Sequence, residues 1–289
     1  MRAAALIALP LAAAGCATAG AGQALRFDWP TGFEARVSLV HREERTGTPP
    51  ASARATHRLV TERSGNAIRI SVRDVEAVGD VPDLEANVRI SEALVQVVAP
   101  DGRYLRTEGL DAALAILGAE EEEEREVSRR ALERIAELDW EVTAGGWAGH
   151  TLSAGRRLTR EYPGSVPLLP GVAATLDVEQ VLLGPAPCQE GAAKDECVML
   201  AWRGTPTAAS RAEAVRRLAA QRATGEGTAP VDLDGRVEAR LVAEPGTLVP
   251  RRLDVEEELR IKVRQPGGDD VELFERSEDH YLFVPEQEL

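Results

Sequence analysis

Between residues 252 and 263 the side chains alternate. Leu253, Val255, Leu259, Ile261 and Val263 fall on one phase, and Arg252, Asp254, Glu256, Glu258, Arg260 and Lys262 on the other. A helical period would scatter this pattern, whereas a strand sends successive side chains to opposite faces. The segment is therefore read as a long strand with one dry and one wet face. The pattern returns at Phe33, Ala35, Val37 and Leu39, at Ile68, Ile70 and Val72, at Ala174, Leu176 and Val178, and at Val237, Ala239 and Leu241. Turn-forming segments lie between these runs: Ser64 to Asn66, Pro100 to Gly102, Glu244 to Gly246 and Pro266 to Asp270. Each offers a glycine, as hairpin connections require. Strands joined in this way form antiparallel meanders with one face buried and one wet.

Two helical segments interrupt the strands. The first runs from about Asp111 to Leu138 with a break expected at Gly118, and Val127, Ala131, Ile135 and Leu138 supply its apolar stripe. The acids Glu120 to Glu124 precede Arg125, Arg129 and Arg130. That order suits the positive end of a helix dipole and is read as a solvated helix start, with calcium or a basic partner as the alternative. The second segment begins at Ser210, where Glu213 three residues on would complete a capping box, and carries Val215, Leu218 and Ala219. Together the elements predict an α+β fold: a curved antiparallel sheet, closed to a half-barrel, with two helical segments packed on its dry face. Aromatic residues make up only 4% of the chain, so the core is expected to be mostly aliphatic. Trp140 and Trp147 bracket a Gly-containing segment read as core packing, or alternatively as a loop rimming a pocket.

The first fifteen residues, MRAAALIALPLAAAG, carry Arg2 as a short basic region and an apolar run from Ala3 to Ala14. This is the anatomy of a secretory signal, and the run falls short of the ~20 residues that a membrane-spanning helix needs. Ala13, Ala14, Gly15 and Cys16 resemble the lipobox of bacterial lipoproteins, with Ala13 where that family usually has Leu or Val. The resemblance implies cleavage before Cys16 and acylation of Cys16, with more than one acyl chain giving a firm membrane anchor. An ordinary signal cleaved near Ala14 or Ala19 is the alternative. The chain is thus expected to divide into a signal peptide (1–15), an acylated cysteine with a short tether (16–26) and a single mainly β domain (27–289). Ala17 resembles the outer-membrane sorting pattern, which implies a cell-envelope protein on the outer membrane facing the periplasm.

With Cys16 assigned to lipid, Cys188 and Cys197 remain, separated by the polar segment QEGAAKDE between two apolar runs. An exported compartment permits a disulfide, which here would staple the mouth of a β-hairpin. Free thiols are the alternative, and a metal site would need more ligands than two cysteines supply.

A net charge of −14, with basic residues scattered singly or in pairs, argues against a nucleic-acid partner. The chain has no GxSxG, GxxxxGK, CxxC or HExxH signature. No enzymatic activity, cofactor or metal is expected. His41 and Glu257 stand out because each continues the phase of an apolar strand face. A polar group there must be paired, hydrated or shifted in pKa. They are read as polar anchors inside a cavity, or alternatively as a strand end (His41) and a bulge or edge (Glu257).

The order of strands and helices behind a lipidated cysteine is similar to that of the bacterial lipoprotein-localisation factors and related periplasmic lipid carriers, over roughly Phe27 to Val284. The likeness implies a half-barrel around a hydrophobic pocket, and it transfers no functional residue. Two roles follow as expectations: an envelope lipoprotein that is structural or recruits an envelope protein, or a carrier of a lipid or other apolar ligand. Substituting Cys16→Ser is expected to move the protein from the membrane fraction to the soluble fraction. A variant that stays membrane-bound with its signal uncleaved would contradict the lipid anchor.

Overall fold

Each alternating segment is a strand in the computed structural model, which describes residues 22–30, 32–189, 196–222, 229–265 and 268–286. Cys16 lies outside them. A short pair, β1 (Gln23–Ala24) with β7 (Thr151–Leu152), stands apart. The other strands are β2 (Glu34–Arg45), β3 (Ala51–Ser64), β4 (Ala67–Gly79), β5 (Val95–Val98), β6 (Tyr104–Glu108), β8 (Arg157–Val166), β9 (Leu169–Ala186), β10 (Cys197–Pro206), β11 (Ala229–Ala243), β12 (Pro250–Arg264) and β13 (Asp270–Pro285). They form one antiparallel sheet in the order β6-β5-β4-β3-β2-β13-β12-β11-β10-β9-β8. The last strand is the central one, and it joins the N-terminal meander to the C-terminal one. At the β3–β4 turn Gly65 takes φ 61°, the left-handed conformation that a two-residue hairpin demands.

The sheet curves because of what it wraps. Strands lie about 4.8 Å apart, so eleven laid flat would span roughly 48 Å. Helix α3 (Glu122–Trp140) has 19 residues and is therefore about 28 Å long, yet it touches both edge strands, β6 and β8, and β9 as well. The dry face must be concave around it. On the convex face the wet phase is laced by ion pairs such as Arg236 with Glu256 (3.2 Å) and Glu258 (2.9 Å), and Arg276 with Glu256 (3.1 Å).

The helices depart from expectation in instructive ways. There are four among the described residues rather than two segments: α1 (Leu84–Ala93), α2 (Leu110–Leu117), α3 and α4 (Ala208–Arg222). The expected first segment is the pair α2 and α3, separated at Gly118 with φ 71°. Helix α1 carries little local signal, since Asp83 before it makes no side-chain cap and its apolar residues are interrupted. Its packing on β4 and α2 fixes it instead. In α3 the buried stripe is Leu132, Ala136 and Trp140, while Val127 and Ile135 are 48% and 40% exposed. The expected stripe is met in part, since Ile135 and Leu138 face the cavity and Leu138 packs on the core, but the fully buried row lies one residue further on because it leads to Trp140. The expected capping box at Ser210 does not form. Thr207 caps α4 by accepting the Ser210 N–H (3.2 Å), Ser210 Oγ accepts the Thr175 N–H (2.8 Å), and Glu213 pairs with Arg216 and Arg217.

Packing also begins before the expected boundary at Phe27, because Gln23 and Ala24 pair with β7 and Leu25 is fully buried. The indole of Trp140 meets Phe27 edge-on at 5.3 Å and Trp29 at 5.6 Å, and its Nε1 donates to the Gly102 carbonyl (2.7 Å). Gly145 lies so close to this ring that a Cβ there would fall 2.6 Å from it. A single π-turn (141–145) carries the chain past the indole.

Cys188 and Cys197 form a disulfide that closes the mouth of the β9–β10 hairpin, where Cys197 is paired with Ala186. Loop-closure entropy for so short a segment is worth roughly 2.5 to 3 kcal/mol. Replacing both cysteines by alanine is expected to lower the unfolding free energy by about that amount in a denaturant titration. An unshifted midpoint would show that the bridge adds nothing.

Candidate functional site

Four helices do not cover the concave face. Between the inner surfaces of β2, β3, β4, β12 and β13 and the helices α1 and α3 lies a cavity of about 730 Å³. Its walls are mostly aliphatic, with Leu39, Ile70, Val72 and Val255 from the sheet, Val88 from α1 and Ile135 from α3. Trp29 and Trp140 line it as well, whereas Trp147 is core.

Strand register sorts the lining by polarity. On the inward phase, reading from β2 through β13 to β12, the rungs run Val37–Phe283, Leu39–Tyr281–Leu253, His41–Asp279–Val255, Glu43–Ser277–Glu257 and Arg45–Glu275. These rungs are about 7 Å apart, two residues of strand. The charged side chains therefore gather at one end of the cavity, while the rest is mostly apolar apart from His57, which stands opposite Val37 at the other end.

At that end His41 Nδ1 lies 2.7 Å from Asp279 Oδ1. This bond raises the His41 pKa, against the opposing effect of burial. The Arg45 guanidinium is held by Glu275 at 3.0 Å and by Glu43. Glu257 is pushed up to about 7 by burial first, and then by the neighbouring carboxylates Asp279 and Glu275. A hydrogen bond donated by the Leu168 N–H offsets part of this. Leu168 sits at φ 58° in the Pro167–Leu168 turn between β8 and β9. That turn reaches Glu257 on β12 only because the sheet edge curls over. Asp139, at the end of α3, is also pushed up to about 7, by burial and then by Glu257 and Asp279. Asp139 is nonetheless exposed, because it faces the open, solvent-accessible cavity. His57, on β3, is lowered by burial, and the Tyr281 hydroxyl is raised well above the usual phenol range by the same cause.

His41 and Glu257 thus both line the cavity, and Asp279 links them electrostatically. The Cys188–Cys197 bridge contributes no lining residue. Asp279 and Asp139 were not singled out from the sequence. Asp279 carried a usable signal, because Glu275, Ser277, Asp279, Tyr281 and Phe283 share one phase. Asp139 carried none, being one acid on a helix rich in acids.

The fold and the hollow together define an α+β protein whose curved, open antiparallel sheet carries an open cavity on its concave face. No protein-family model matches the chain, and no curated protein does. Among solved structures the chain is a weak structural neighbour of a LolA superfamily protein from Nitrosomonas europaea. The identity is 10%, the match covers 89% of this chain and 88% of that one, and the TM-score is 0.16. So low a TM-score leaves the function to be read from the cavity itself. No helix among the described residues is long and apolar enough to cross a membrane.

Asp139, Glu257 and His41 all bind a proton more tightly folded than unfolded. The stability this linkage supplies is complete below the unfolded pKa values and is lost as pH rises through the folded ones. His57 has the opposite sign but acts only below its ordinary value of 6.5. The melting temperature is therefore expected to fall between pH 6.5 and 8.5, by about 2 °C or more, since 1 kcal/mol is worth ~2–4 °C in a domain of this size. The double variant Asp139→Asn, Glu257→Gln should flatten the slope, and an unchanged slope would rule these groups out as its source.

Proposed function

We propose that this is a lipid-anchored envelope protein whose half-barrel binds and carries a lipid or other apolar molecule. The observation that carries the reading is the cavity of about 730 Å³. It falls in the ~300–1,000 Å³ range of small-molecule sites, which are apolar pockets with a few polar groups gathered at one place. Aliphatic walls hold water poorly, and an apolar occupant would restore the dispersion contacts that an open hollow forgoes. The protein acts as a binder, not as a catalyst, and takes neither cofactor nor nucleic acid. Recruitment of an envelope protein through the acidic surface is the lesser reading, because no feature of the described residues supports it as the cavity supports a ligand.

Acylation of Cys16 fits this role. Only residues 17–21 separate it from Gly22, where the described structure begins. Extended, they span about 20 Å, so the cavity would stay close to the bilayer, on our reading the outer membrane facing the periplasm.

Extraction after purification without harsh detergent, followed by native mass spectrometry, is expected to reveal a bound lipid-like molecule. Ala55, opposite Leu39 on the cavity wall, offers a way to fill the space. Ala55→Trp should weaken binding of a fluorescent apolar probe at least about tenfold, a change of ~1.4 kcal/mol, with the circular dichroism spectrum preserved. A wild-type protein that carries nothing and binds no apolar probe would defeat the proposal.

A further inference from the structure

The ionisable residues lining the cavity are His41, Arg45, His57, Asp139, Glu257, Glu275, Asp279 and Tyr281, and burial favours the neutral forms of His57 and Tyr281. The others do not balance. His41 is matched with Asp279, and Arg45 with Glu275. Asp139 and Glu257 are left over. No cation and no hydrogen-bond donor among the described residues reaches the Asp139 carboxylate, and Glu257 receives only the Leu168 N–H. The two stand within electrostatic reach of each other and of Asp279, which adds repulsion.

Two carboxylates facing an apolar hollow without a counter-charge favour a proton or a cation beside them, the more so once an occupant displaces the water there. A metal ion is a poor candidate, since among the described residues no three His, Cys, Asp or Glu groups converge as ligands would. An organic cation has no such geometric demand. The rungs beyond His41 then offer Leu39, Leu253 and Phe283 to an apolar body. We infer that the occupant is an amphiphile with a positively charged amino group, the ammonium lying between Asp139 and Glu257 and the hydrocarbon along the aliphatic rungs. This deepens the carrier reading and rests on it.

Protons and ammonium compete for the same two carboxylates. Affinity for the amine should therefore rise with pH as they ionise near neutrality, because alkylammonium itself stays charged over this range. The other groups facing the pair are His41 and Arg45 on β2, His57 on β3, Tyr162 on β8, and Glu275, Asp279 and Tyr281 on β13. Loss of charge on His41 at higher pH acts in the same direction.

Quenching or shift of tryptophan fluorescence, with Trp29 and Trp140 on the cavity wall as reporters, can be titrated with decylamine, decanol and decanoate below their micellar concentrations. At pH 8 the full-length protein is expected to bind decylamine about tenfold more tightly than decanol, with decanoate weakest, and the amine advantage should shrink at pH 6. In the double variant Asp139→Asn, Glu257→Gln the amine-to-alcohol affinity ratio should fall close to one. Equal affinity for all three, or a preference for decanoate, overturns the ammonium assignment and leaves the carrier reading standing. Failure to bind any of the three overturns both.

Discussion

The position of Trp140 governs the rest of the structure. Its indole is wedged against Phe27 and Trp29 and tied by Nε1 to the Gly102 carbonyl. This fixes the C-terminal end of α3 inside the curve of the sheet, where the helix meets both sheet edges. A helix held there props the concave face open. Neighbouring helical residues point about 100° apart, so burying Trp140 in the core turns Asp139 towards the hollow. One aromatic anchor thus sets both the space and a charge within it.

The central strands show how much a single step of pleat decides. Glu256, Glu257 and Glu258 are consecutive and chemically identical. Glu256 and Glu258 point outwards to Arg236 on β11, and Glu258, though partly buried, is held below the ordinary carboxylate range by Arg260 and Arg236. Glu257 points inwards, meets other carboxylates and only one donor, and is pushed the opposite way. The convex face neutralises its charges with arginine. The concave face leaves two carboxylates without a counter-charge, which sets this cavity apart from a purely greasy pocket.

The sheet was legible because a period of two is imposed by the strand itself, and the phase that marked Leu253 and Val255 as buried also marked Glu257 and His41 as anomalous. Applied to β13, the same phase would have found Asp279. Helices were less legible. Phase along α3 depends on which residue the core claims, and the claim of Trp140 could not be seen locally. The cap of α4 passed from Ser210 to Thr207 because the Ser210 hydroxyl is taken by the Thr175 N–H, a contact across 35 residues of sequence. Helix α1 owes its existence to β4 and α2 more than to its own residues.

By itself the sequence determined an antiparallel sheet with one dry face, the positions of its turns and two polar residues on the dry side. These follow from short-range pleat geometry and turn chemistry. Tertiary structure alone decided the strand order, with the last strand at the centre, and the curvature that turned the dry face into a cavity. It also decided the meeting of Asp139, Glu257 and Asp279, which come from two strands and a helix. Such convergence depends on how elements pack, and no local periodicity encodes it.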